Sequence, residues 1–333
     1  MGCLMNENRI VLKGTNKRDA GCFLLFVFLL PYVCACLWGH IGVEKDILRQ
    51  NEKQEKSEDY TDYVVQVDMG WGVWKIPLEE YLVYKLESVI PEDYEKEALK
   101  AQAVLLRTEV VQVLKEEETE HIQVSGDGLD KWYESDKAAR ERLRPYSEAV
   151  EETDGLYLSY QGEPIQASYF KLSNGQTRNA GRVVESEKCP YLTSIDCVQD
   201  KAAQDYSSEV SVAKANYLHE IKSHVEQGYS TEDIWEGMHL TYDDAGYVTN
   251  VSFSVGEDEI GQIDGETFRH MFNLPSASFE IRQEKAQIIF HVTGIGHGFG
   301  MSQYSANCKA LNGETYDQIL KEFFLGTELA KIE

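Results

Sequence analysis

The sequence predicts an α+β protein. Helices stand at both ends of an antiparallel, β-rich core with a β-rich inserted subdomain, preceded by one N-terminal transmembrane helix. Three observations lead there. An uncharged apolar run, Ala20 to Val43, sits near the N-terminus. Helical apolar spacing occupies the segments before Glu117 and after Ser302. Between them lie strand–turn–strand patterns rather than further long helices. No internal repeat is present, and 42% hydrophobic residues allow a real core.

The run "AGCFLLFVFLLPYVCACLWGHIGV" is long enough to cross a bilayer as a helix. Arg9, Lys13, Lys17 and Arg18 precede it, which places residues 1–19 in the cytoplasm and the main domain outside the cell membrane. A cleaved signal peptide is the competing reading, but the run is long and lacks a small-x-small site. Residues 44–63, polar, charged and free of glycine, read as a stalk. Residues 64–333 then form the main domain, with a subdomain at roughly 207–290.

"VVQVDMGWGVWKIPL" alternates around Gly70 and Gly72 as a hairpin does. Leu78, Leu82, Leu86 and Val89 line one face of a helix that Pro91 stops. Glu95 to Glu117 is the strongest helix, with Glu92, Asp93 and Glu95 at its start, where the dipole favours acids. "GLYLSYQGEPIQASYF", "HLTYDDAGYVTNVSFSV" and "ASFEIRQEKAQIIFHVTG" each read as two strands and a turn. "SQYSANCKALNG" reads as a short helix capped by Ser302 and ended by Asn312-Gly313. Thr315 and Gln318 match a capping box before "ILKEFF", and Gly326 closes that helix.

The net charge of −25 argues against nucleic acid, whose phosphates need Lys and Arg to displace counterions. Cys189 and Cys197 are either a disulfide or two free thiols; no histidine stands at metal spacing from the cysteines, and no metal or other cofactor is predicted.

Two segments have the composition of a site. In "GIGHGFG", glycines flank His297 and let the backbone approach a ligand; a plain glycine-rich turn is the alternative. In "KLSNGQTRNAG", Ser173, Asn174, Gly175 and Thr177 crowd a loop; such side chains bond sugar hydroxyls, and they also simply make turns.

Together with "PLEEYLVYKLESVIPEDYEKEALKAQAVLLRT" and "GHGFGMSQYSANCKALNGETYDQILKEFFLGTEL", these segments resemble the stage II sporulation protein D family, which includes the amidase enhancers. The resemblance covers about residues 70–330. It implies binding of peptidoglycan glycan strands outside the membrane, with a cell-wall amidase and membrane proteins as partners. In the sporulation members it implies lytic transglycosylase action between N-acetylmuramic acid and N-acetylglucosamine. There one Glu protonates the glycosidic oxygen and the muramyl 6-hydroxyl then attacks C1.

The resemblance also marks a departure. The family's Glu lies two residues before the Pro, and that register falls on Val89. Glu87 is two residues early, about 200° away around a helix, and Glu92 is just past Pro91. They are the two candidate replacement acids; the alternative for each is a solvated charge. The cysteines that hold zinc in some relatives are absent after Arg107-Thr108. The matching positions imply substrate-binding roles for Arg107, Tyr169, Ser173, Thr177, His297 and Gln303. Arg107 either holds a muramyl carboxylate or pairs with a structural acid. Tyr169 offers a hydroxyl and a stacking face, and His297 and Gln303 orient hydroxyls.

Overall fold

The computed structural model describes residues 63–68, 70, 72–116, 121–125, 137–183 and 189–332. Segments 1–19, 20–43 and almost all of the 44–63 stalk lie outside the described residues, and among those described no helix is long and apolar enough to cross a membrane.

The chain enters through β1 (Val64–Asp68) and β2 (Val73–Pro77), the expected hairpin. Helix α1 (Leu78–Val89) follows without a loop and ends where Ile90 turns extended before Pro91, as a residue preceding proline must. Helix α2 (Lys96–Glu116) begins after the acidic turn. Strand β3 (His121–Ser125) lies parallel to β1, a pairing that alternation alone does not indicate. Helix α3 (Lys137–Glu151) is also unforeseen. Its charge and internal Pro145 disguise it, yet Ala139, Leu143, Tyr146 and Val150 make a buried stripe.

β4 (Leu156–Tyr160) and β5 (Glu163–Pro164) form the second expected hairpin, with Gln161 and Gly162 both at positive φ in its turn. β6 (Tyr169–Phe170) leaves this hairpin for another partner. After the single turn α4 (Ala180–Val183) and a 3₁₀ turn at Val198–Ala202 come β7 (Ser207–Ala213), α5 (Lys214–Ile221) and α6 (Thr231–Glu236). β8 (Met238–Tyr242), β9 (Val248–Val255) and β10 (Asp258–Asp264) make one antiparallel sheet. Helix α7 (Gly265–Met271) leads to β11 (Phe279–Glu284) and β12 (Gln287–Thr293), and β12 also pairs with β7. The chain ends with β13 (Met301–Ser302), α8 (Gln303–Leu311), α9 (Tyr316–Phe323) and β14 (Glu328–Lys331).

The mixture of helix and small sheets agrees with the predicted class, and most pairings are antiparallel; β1–β3 and β13–β6 are the parallel exceptions. Both strand pairs at β8–β9 and β11–β12 form where the alternation places them. Ser302 caps α8 through the Ser305 N–H, and the Thr315 N–H donates to Gln318 at the start of α9.

Three hydrophobic clusters hold the domain. In the first, α1, α3 and the β1–β2 hairpin pack on one face of α2 through Leu99, Ala103, Leu106 and Val110. In the second, the opposite face of α2 (Ala98, Ala101, Val104, Leu105) meets β4, α8 and α9. A helix buried on two faces must satisfy any polar residue it carries internally. Gln102, Arg107 and Thr108 are such residues. The third cluster belongs to the β7–β12 region, where Phe268, Phe272 and Phe290 surround Tyr217 and Phe253 is buried in the same cluster.

Candidate functional site

The segments singled out in the sequence meet in space. The Ile295 N–H donates to the Leu172 carbonyl (2.7 Å), the Arg178 N–H to Gly298 (2.8 Å) and the Met301 N–H to Ser168 (3.0 Å). The glycine loop thereby lies along the chain from β6 to Arg178. All four of its glycines have positive φ and no room for a Cβ, and two show why. At Gly298, with φ +84°, a Cβ would sit 2.7 Å from the Tyr247 ring, and at Gly300, with φ +76°, 2.0 Å from the Ser168 carbonyl. From there Ser302 starts α8, and Gln303 reaches α1: its Nε2 donates to the Val89 carbonyl (3.0 Å) and to Gln102 Oε1 (3.1 Å).

His297 is half-buried between the rings of Phe170 and Phe299. Its Nδ1 accepts the Phe299 N–H (3.1 Å), which leaves the other ring nitrogen as the donor of the neutral form. Burial lowers its pKa, with Glu266 opposing and Arg269 assisting. Tyr169 is half-buried at the seam of the first and second clusters, and burial pushes its hydroxyl well above the usual phenol value. Tyr169 pairs with Met301 across β6 and β13, His297 packs on Phe170, and of the three Gln303 is the one bonded to the end of α1.

Gln303 is itself buried, 4% exposed, with its amide spent on Val89 and Gln102, and three other expected residues also turn inward. Arg107 is fully buried: it forks onto Glu79 (Nε–Oε1 2.8 Å, Nη2–Oε2 2.5 Å) and donates to the Leu156 carbonyl (2.9 Å). Of its two readings, the pair with a structural acid is the one formed. Ser173 and Thr177 are also fully buried. The Ser173 hydroxyl accepts the Gly175 N–H, while Thr177 Oγ1 donates to Thr193 and accepts from Ile195. Their oxygens are taken by a buried loop whose backbone needs partners, so neither faces a ligand. Cys189 and Cys197 are buried free thiols, which corrects the disulfide alternative; burial pushes the Cys197 thiol up to about 12.

The candidate acids are elsewhere. Glu87 binds Arg142 of α3 (2.6 Å) on the side of α1 that packs against α3. Glu92 is exposed in the turn after Pro91. Val89 packs on the first cluster, and its carbonyl, not a carboxylate, meets Gln303.

The stage II sporulation protein family model matches residues 68–160. Stage II sporulation protein D of Bacillus subtilis (strain 168) is 29% identical, over 79% of this chain and 77% of its own. That of Bacillus amyloliquefaciens is 30% identical, over 79% and 76%. This chain belongs to the stage II sporulation protein D family. The amidase enhancer of Bacillus subtilis is a further relative, 25% identical over 55% of this chain and 32% of its own.

Set in this family, the site contains three further polar residues, Gln102, Asp200 and Arg178. Gln102 is fully buried in "ALKAQAV", and its Nε2 has no partner. Asp200, fully buried, accepts from the Ser173 N–H (2.8 Å), Ser302 Oγ (2.7 Å) and Ser305 Oγ (2.6 Å), so it ties the serine loop to the start of α8. Arg178, 2% exposed, bonds Asp243 (2.7 Å) and the His297 carbonyl (3.2 Å) and lies over the Phe299 ring. The first and third sit inside the motifs and were findable there; "CVQD" around Asp200 carries no signal.

Proposed function

We propose that this chain is a membrane-anchored, extracytoplasmic peptidoglycan-binding protein that acts in cell-wall remodelling at the sporulation septum and engulfment, with its transglycosylase step weak or lost. The membrane enters through residues 20–43 and the glycan lies against the Tyr169–His297 face, with the buried Gln303 holding the end of α1 to α8. The kinship with stage II sporulation protein D supports the wall role, and the kinship with an amidase enhancer supports a wall amidase as partner.

One observation carries the loss of catalysis. A single-Glu mechanism needs a carboxyl at the reacting bond, partly desolvated so that it holds its proton. At the end of α1 the residue next to Gln303 is Val89, while Glu87 is held by Arg142 and Glu92 stands in water. Neither acid has the environment the step requires.

The full-length chain in mild detergent is incubated with peptide-stripped glycan strands, and anhydro-muramyl ends are counted. We expect retention on purified sacculi with few or no such ends, and a gain of product in Val89→Glu of at least about tenfold, equivalent to about 1.4 kcal/mol of barrier. Wild-type product that disappears in Glu87→Gln or Glu92→Gln would replace this reading with that of an active transglycosylase. Absence from sacculi would remove the glycan from both.

A further inference from the structure

The Ser173–Arg178 loop has a second face. Beside it lies an open cavity of mixed apolar and polar lining, about 460 Å³, within the roughly 300–1,000 Å³ of small-molecule clefts. Gln176, Asn179 and Ser194 line one wall; Tyr242, Asp243 and Asp244, at the turn between β8 and β9, line the other. The turn is prebuilt: Asp243 Oδ1 accepts the N–H groups of Ala245 (3.1 Å) and Tyr247 (2.9 Å), and Oδ2 takes the Arg178 Nε (2.7 Å). Because Arg178 also bonds the His297 carbonyl, one buried side chain sets both the cavity wall and the glycine loop.

The lining selects a ligand class. The side-chain amides of Gln176 and Asn179 and the hydroxyls of Ser194, Tyr242 and Thr249 are groups that both donate and accept, which suits the hydroxyls and acetamido group of a sugar. Tyr242 is 45% exposed, a large aromatic left open at the cavity, and its ring provides a stacking face. No Lys, Arg or His lines the cavity, and the charge of Asp243 is matched by Arg178 behind it, so the lining offers an anion no cationic partner. We propose that this cavity is a second saccharide subsite, taking an uncharged N-acetylhexosamine unit of a glycan and excluding the muramyl carboxylate. This deepens, and rests on, the glycan-binding reading above.

Calorimetry on the full-length chain in mild detergent, titrated with chitotriose, tests it. Chitotriose is expected to bind, Tyr242→Ala to weaken it about tenfold through the lost stacking face, and Tyr242→Phe to change it less than about threefold, since the face survives. N-acetylmuramic acid is expected not to compete. Equal affinity in Tyr242→Ala with unchanged circular dichroism overturns the proposal, as does competition by N-acetylmuramic acid equal to that by N-acetylglucosamine. Retention on sacculi without chitotriose binding overturns the subsite and leaves the function reading. Tyr242-dependent chitotriose binding without retention on sacculi does the reverse.

Discussion

Two of the polar contacts that join α1 to the rest of the fold, one near each end, are built differently. At the N-terminal end, Glu79 receives both edges of the buried Arg107 fork, and carbonyls of β4 and α3 take what remains. At the C-terminal end, the Val89 carbonyl and Gln102 share the Gln303 amide, and Gln102 Nε2 is left with nothing. The first is a closed structural device. The second is an open polar cluster at the Val89 carbonyl. Motif matches alone treat the two ends alike; hydrogen-bond accounting separates the closed contact from the open one.

The largest effect expected from breaking this contrast is at the closed end. Arg107→Met leaves Glu79 and the carbonyls without their donor and should cost about 3–5 kcal/mol in denaturant unfolding. Glycan affinity per folded molecule should not change; a stable Arg107→Met chain that loses glycan would return Arg107 to a binding role. Asp200→Ala removes the acceptor of three hydrogen bonds and should cost about 2–4 kcal/mol, measured the same way. At the open end, Gln102→Leu gives up one bond from Gln303 but also removes the orphaned donor, so its stability should stay within about 1 kcal/mol of wild type. A loss comparable to that of Arg107→Met would show that the two ends are equivalent after all.

The smallest effect is a pH dependence at His297. Its folded pKa lies below the ordinary 6.5, because burial disfavours the charged ring. The unfolded state therefore binds the proton first as pH falls, and stability is lost below about 6.5, levelling off under the lowered folded value. Unfolding midpoints at pH 7.5 and pH 5.5 should differ less in His297→Gln than in wild type; an unchanged difference would place the sensitivity elsewhere.

The local elements were legible in the residues. The β1–β2 hairpin, α1 and α2, the β8–β9 and β11–β12 pairs and the Ser302 cap all follow from periodicity, turn residues and capping, which are properties of neighbouring positions. α3 was legible too, through its four-residue stripe, but Pro145 and heavy charge outweighed it. The motifs also located the site, since the segments carrying them do converge, and the Val89 register was fixed by counting alone.

What only the tertiary structure decided is which polar groups face outward. Ser173, Thr177 and Arg107 look like ligand contacts in sequence and turn out to serve the interior; Asp200 looks like nothing and holds three segments together. Gln303 finds Val89 across more than two hundred residues of chain. A side chain's chemistry is written locally, but its partner is chosen by packing. Once a loop is buried, its backbone N–H and C=O groups claim the nearest hydroxyl or carboxylate before any ligand can.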